Sequence, residues 1–142
     1  MQSHNHDRIL LTGGAGLIGS AICWRLNQLG YQNIVIVDHL GCGVKWQNLR
    51  ALNFQDYFEK DQFLPQLEKL PRFNAILHLG ACSSTTEEDG SYLADNNFAY
   101  SKALAEYAQK YHARMIYASS AATYGDGANG FSDDESLIPK LR

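Results

Sequence analysis

The chain has 142 residues, a formal net charge of −3, and 45% hydrophobic against 19% charged residues. That length bounds one domain with a sizeable core, and the charge gives no basic footprint of the kind nucleic acid selects. No apolar run approaches the ~20 residues needed to span a bilayer, so neither nucleic acid nor a membrane is an expected partner.

Residues 1–7 are polar and lack the apolar core of a signal peptide, which predicts a disordered leader with His4 and His6 in solvent. Residues 8–12 then form a short apolar run that predicts a first strand. Gly13, Gly16 and Gly19 follow in the order G-x-x-G-x-x-G. The first glycine permits a tight turn, the second lets backbone approach a pyrophosphate, and the third lets helix and strand pack closely. Leu17, Ile18, Ala21, Ile22, Trp24, Leu26 and Leu29 recur largely at helical spacing until Gly30, placed as a C-terminal cap. The run Ile34, Val35, Ile36, Val37 predicts a second strand ending in Asp38. That acid lies about twenty residues past the glycines, where a carboxylate meets an adenosine ribose. Strand, glycine turn, helix, strand and acid in this order predict a dinucleotide site whose phosphates face the helix N-terminus.

The alternation continues. A short strand is expected near residues 53–56, a short helix over 62–70 and a fourth strand over 75–80. A long helix over 92–111 carries Leu93, Leu104, Ala105 and Ala108, and 115–118 reads as a fifth strand. Strands alternating with helices predict an α/β fold, a doubly wound parallel sheet occupying residues 8–142 as one domain. Ligands of such sheets bind beyond the carboxyl ends of the strands, and segments 13–19, 80–86 and 119–125 all fall there.

Cys23, Cys42 and Cys82 form no C-x-x-C pair and are odd in number, which argues against a disulfide framework and fits a reducing cytoplasm. Cys23 reads as a small core residue. Cys82 has no positioned base or cation nearby to make it a nucleophile. His78, inside the fourth strand, reads as a hydrogen-bonded core histidine, and no His/Asp/Glu spacing predicts a metal site. The acidic run 133–135 reads as a solvated loop.

Thr12-Gly13-Gly14-Ala15-Gly16-Leu17-Ile18-Gly19 and Tyr117-Ala118-Ser119-Ser120-Ala121-Ala122-Thr123-Tyr124-Gly125 together resemble the extended short-chain dehydrogenase/reductase family, largely nucleotide-sugar epimerases and dehydratases. Gly80-Ala81-Cys82-Ser83-Ser84-Thr85-Thr86-Glu87, with Asp89-Gly90, Asp95-Asn96-Asn97 and Tyr100-Ser101-Lys102, narrows the resemblance to that family's ADP-heptose 6-epimerase branch. It covers the chain from Arg8 to about Glu135.

The resemblance implies a Rossmann-type sheet in three α/β/α layers, and an epimerisation at C6 of ADP-heptose by transient hydride transfer to a nicotinamide, in lipopolysaccharide core synthesis. A nucleotide-sugar substrate and a homo-oligomeric full-length protein are implied with it. Ser120 matches the family's catalytic serine, whose hydroxyl holds the reacting oxygen. The family's Y-x-x-x-K pair has no match here: Tyr100 with Lys102 and Tyr107 with Lys110 have the wrong spacing. The chain is therefore expected to stop short of the last strand, the catalytic pair and the substrate lobe, and to bind cofactor without efficient catalysis. Its fifth strand is expected to expose an edge and an apolar face.

Asp38 by itself favours the ribose diol of NAD, because a carboxylate repels a 2′-phosphate. The resemblance implies NADP, since Lys45 and Lys60 match lysines that answer the phosphate, with His39 standing where the family has asparagine. NAD is the alternative. By the same resemblance Leu17 and Ile18 meet the cofactor at the glycine turn, Leu79, Gly80, Ala81, Cys82 and Ser83 pass along its adenosine or ribose side, and Asn96 reaches it from the long helix. The hydroxyls from Ser83 to Thr86 are candidates for substrate contact. Two other readings stand beside this one: a different nucleotide-sugar epimerase or dehydratase, and a non-catalytic NAD(P)-binding module.

Overall fold

The computed structural model describes residues 6–140; most of the predicted leader, residues 1–5, lies outside the described residues. Five strands pair in the order β3-β2-β1-β4-β5, all parallel. They are β1 (Ile9–Thr12), β2 (Ile34–Asp38), β3 (Asp56–Glu59), β4 (Ala75–His78) and β5 (Arg114–Tyr117). Every residue of β1 and β2 is buried, as expected of central parallel strands covered on both faces.

Alternate side chains of these strands feed two cores. Leu10, Val35, Val37 and Ile76 pack with Phe63 and Leu67 of α2 (Lys60–Leu67) and with Leu104, Tyr107 and Ala108 of a later helix. Ile9, Leu11, Ile34 and Ile36 pack on the opposite face with Cys23 of α1 (Leu17–Gln28) and with Leu49 of a 3-10 turn at Lys45–Leu49. A helix layer thus covers each face, giving three α/β/α layers. Burial pushes the Cys23 thiol up to about 11, so it is the inert core residue its sequence context suggests.

The apolar residues of α1 do not all face the core. Leu17, Ile18, Trp24 and Leu29 are exposed, while Gly19 and Cys23 are buried and Ile22 and Leu26 partly so. The helix meets the sheet through Gly19 and Cys23, with Ile22 and Leu26 packed beside them. It ends in a Schellman motif, with Gly30 at φ +90°, Gly30 N–H donating to Asn27 C=O and Tyr31 N–H to Leu26 C=O.

The third strand lies three residues later than expected. β2 offers Val35 to Asp38, and the pairing matches these with Asp56 to Glu59, placing Glu59 opposite Asp38. Strand-favouring Tyr57 and Phe58 occupy the middle of that stretch, and the chain passes directly into α2, which starts at Lys60 and contains Pro65. The long helix begins at α3 (Gly90–Leu93), capped by Asp89, whose carboxylate accepts from Tyr92 N–H at 3.0 Å. It widens into a π-helical segment at Ala94–Ala99 and continues as α4 (Tyr100–Tyr111).

Candidate cofactor site

The chain turns sharply at the carboxyl end of β1. Gly13 adopts φ +71°, donates its N–H to Val37 C=O at 2.8 Å, and lies so close to the turn after β4 that a Cβ there would stand 2.8 Å from Gly80 N. Gly16 forms the N-cap of α1 with no side chain capping it, and its N–H donates to Gly13 C=O at 3.1 Å. Ser20 N–H makes the first intrahelical bond, to Gly16 C=O at 2.9 Å. The amides of Leu17 and Ile18 therefore precede the helical ladder at the exposed start of α1 and remain available to an anion. A Cβ on Gly19 would sit 2.1 Å from Gly13 O. Only glycine lets α1 start this close to β1.

Asp38 ends β2 beside this turn, and both its oxygens are engaged by the protein. Oδ2 accepts from Ala15 N–H at 2.8 Å, while Oδ1 accepts from His39 N–H at 2.7 Å and from the Lys45 ammonium. Lys45 also donates to His39 C=O at 3.2 Å. The Asp38 carboxylate is thus 93% removed from solvent and carries its own counter-charge. Neighbouring Glu59, unmarked in the sequence, accepts from Leu40 N–H at 3.2 Å and from Tyr57 Oη at 2.8 Å, and pairs with His39 Nδ1 at 3.1 Å. Burial raises the Glu59 carboxyl, but the bonds from Tyr57, Leu40 and His39 outweigh it and hold the pKa below the ordinary value. Burial first, and then the bond to Glu59, push the Tyr57 phenol upward, so it remains a neutral donor. Lys60 donates to Asp61 at 2.9 Å and lies 5.1 Å from the Tyr92 ring centroid.

The turn after β4 forms the opposite wall. Gly80 N–H donates to Thr12 Oγ1 at 3.0 Å. Cys82 is gripped at both backbone groups by the Asn97 amide, at 2.8 and 2.9 Å.

Between these walls lies a cavity of about 360 Å³. Gly13, Gly16, Asp38, His39, Lys45, Lys60, Leu79, Gly80, Ala81, Ser83 and Asn96 all line it. Five expected residues do not. Gly19 is buried under the turn, Leu17 and Ile18 point their side chains into solvent, and Cys82 is held through its backbone by Asn97. Ser120 stands beyond β5, capping a 3-10 turn by accepting from Ala122 N–H at 3.2 Å. Thr12, Val37, Tyr92 and Tyr100 line the cavity without having been expected to. Tyr92, Asn96 and Tyr100 recur at steps of four, which drift around an α-helix of 3.6 residues per turn. The wider π-helical turn between them brings all three to one wall.

The profile of the NAD dependent epimerase/dehydratase family matches residues 9–140. The chain belongs to this family. Within it, the chain is 47% identical over 136 residues to an ADP-L-glycero-D-manno-heptose-6-epimerase of Nitratidesulfovibrio vulgaris, covering 94% of this chain and 42% of that protein. The same identity holds over 131 residues with the enzyme so named from Fusobacterium nucleatum, covering 90% of this chain and 40% of that one. The crystal structure of the Helicobacter pylori ADP-L-glycero-D-manno-heptose-6-epimerase superposes with a TM-score of 0.76 at 27% identity, over 92% of this chain and 44% of that one. A UDP-glucuronic acid 4-epimerase from Bacillus cereus in complex with NAD gives 0.69 at 26% identity, over 89% of this chain and 44% of that chain. The chain therefore spans about 42% of the length of the first of these curated relatives. No helix among the described residues is long and apolar enough to cross a membrane.

Proposed function

We propose that the chain is the cofactor-binding part of an ADP-L-glycero-D-manno-heptose 6-epimerase that uses NADP, acts in the cytoplasm on a nucleotide sugar of lipopolysaccharide core synthesis, and works as a homo-oligomer at full length. The 47% identity to two enzymes of that name supports the substrate assignment. The observation that carries the cofactor assignment is the pairing of Asp38 with Lys45 in the wall that Lys60 also lines. A bare carboxylate there would repel a 2′-phosphate; Lys45 neutralises the carboxylate, and Lys60, whose ion pair is with the exposed Asp61, can exchange that partner for the phosphate.

The remaining residues fit a dinucleotide. Gly13 and Gly16 leave room where a Cβ would close the turn, and the uncapped amides of α1 face the pyrophosphate. Leu79, Gly80, Ala81, Ser83 and Asn96 form the wall against the adenosine and ribose. The bound nicotinamide supplies a reversible hydride acceptor, so that one carbinol carbon is oxidised and then reduced on its opposite face. Ser120 is assigned the reacting oxygen: its Oγ accepts from Ala122 N–H and keeps its own proton to donate. No Tyr-x-x-x-Lys occurs in the 142 residues. The chain's own groups therefore hold the sugar oxygen without moving its proton, and we expect cofactor binding without turnover.

Calorimetric titration of the chain with NADP and NAD, beside a Lys45→Ala, Lys60→Ala double variant, tests this reading. The expected result is NADP bound at least tenfold more tightly than NAD by the chain, with that preference lost in the double variant. Equal affinity for the two cofactors in the unaltered chain would overturn the NADP assignment.

A further inference from the structure

His78 sits at the carboxyl end of β4, 1% exposed, and does not line the cavity. Its two ring nitrogens nevertheless connect the cavity walls. Nδ1 is 2.6 Å from Thr12 Oγ1, and Nε2 is 2.7 Å from Ser101 Oγ. The direction of both bonds follows from their far ends. The Ser101 hydroxyl gives its one proton to Asn97 C=O at 2.9 Å, so toward His78 it can only accept, and Nε2 must carry the proton. Nδ1 of the neutral ring then accepts from the Thr12 hydroxyl, which in turn accepts from Gly80 N–H. The result is a one-way chain: Gly80 N–H to Thr12, Thr12 to His78, His78 to Ser101, and Ser101 to the Asn97 carbonyl.

Each end of this chain fixes a wall of the cavity. At one end Thr12 holds Gly80 against the Gly13 turn, where the two backbones leave no room for a Cβ. At the other end the Asn97 carbonyl belongs to the π-helical turn that presents Asn96 to the cavity, and the Asn97 amide holds both backbone groups of Cys82. The ring is further clamped between Tyr100 and Tyr117, its centroid 6.2 and 5.4 Å from theirs in stacked arrangements. These phenols are the titratable groups packed against it from α4 and β5. Burial alone lowers the imidazole's affinity for a second proton, which keeps the ring neutral.

We infer that His78 is a positioning residue, whose neutral Nε2–H imidazole sets the spacing between the glycine turn, the loop after β4 and the π-helical turn that a bound dinucleotide requires. This rests on the cofactor reading of the cavity. A merely space-filling histidine would be indifferent to its tautomer and to Ser101, which is outside the cavity.

Two measurements on the chain decide the point. Ring nitrogen chemical shifts at neutral pH are expected to report Nδ1 bare and Nε2 protonated in the wild type. Loss of that bias is expected in Ser101→Ala, a variant whose fold is checked by circular dichroism. Calorimetry is expected to show Ser101→Ala binding NADP three- to tenfold more weakly, with Ser101→Thr, which keeps the hydroxyl, restoring most of the affinity. An Nδ1–H tautomer in the wild type, or Ser101→Ala binding as tightly as the wild type, overturns the inference and leaves the cofactor reading standing. A wild-type chain that binds neither NADP nor NAD overturns both.

Discussion

Gly19 shows how much a single atom decides in this molecule. A methyl group there would sit 2.1 Å from Gly13 O and 2.7 Å from Gly14 Cα, both backbone atoms that no rotamer change can move. Gly19→Ala is expected to cost about 1–3 kcal/mol in urea denaturation by overpacking and to abolish dinucleotide binding by tilting α1 away from the turn. His78 makes a pH-dependent contribution of definite sign. Burial depresses its folded pKa below the ordinary 6.5, so the unfolded chain binds the extra proton more readily. Its contribution is complete above pH 6.5 and is lost as pH falls. Denaturation between pH 7 and 5 should show wild-type stability falling more steeply than that of His78→Gln, by up to about 1.4 kcal/mol per pH unit. The glycine turn and the place of Asp38 beside it were legible in the sequence, because both are set by fixed local offsets along the chain. Glu59 was not, because it meets His39 and Leu40 only through the pairing of β3 with β2. Nor was the engagement of Asp38 with Lys45, since the six intervening residues can take many paths.

Elements form where local chemistry and tertiary demand agree, and shift where they do not. Strands β1 and β2 lie within a residue of their expected positions, because continuous apolar runs bounded by glycine or a polar residue permit little else. The third strand moved by three residues, since a short, half-buried strand takes its register from its partner. The π-helical turn at Ala94–Ala99 was not legible, its composition being that of an ordinary helix. Helix ends offer a direct test of backbone strain. Gly30 and His112 occupy left-handed positions after α1 and α4, at φ +90° and +55°, but only one is glycine. Replacing His112 with glycine is expected to stabilise the chain by about 0.5–1 kcal/mol, and Gly30→Ala to destabilise it by about 1 kcal/mol, both read from thermal denaturation.

On the scale of the whole molecule, the sheet brings the ends of β1, β2, β3 and β4 to one rim, and the cavity lies where the strand order reverses between β1 and β4. The candidate site's expected place rests on the glycine turn after β1 and on the alternation of strands and helices, both local in sequence, whereas its wiring depends on contacts across the sheet. The sheet closes less completely on its other side. β5 is an edge strand, with Ile116 56% and Tyr117 52% exposed, and an apolar edge of this kind pairs with other chains. Sedimentation should reveal concentration-dependent association that Ile116→Lys suppresses. Whether the rim holds a dinucleotide with its phosphates on the N-terminus of α1 is best decided by following backbone amide resonances during titration with NADP. The largest shifts are expected at Gly13, Leu17 and Ile18, with further shifts at His39, Lys45 and Gly80. Saturable shifts confined to other surfaces, with the Leu17 and Ile18 amides unmoved, would contradict that placement.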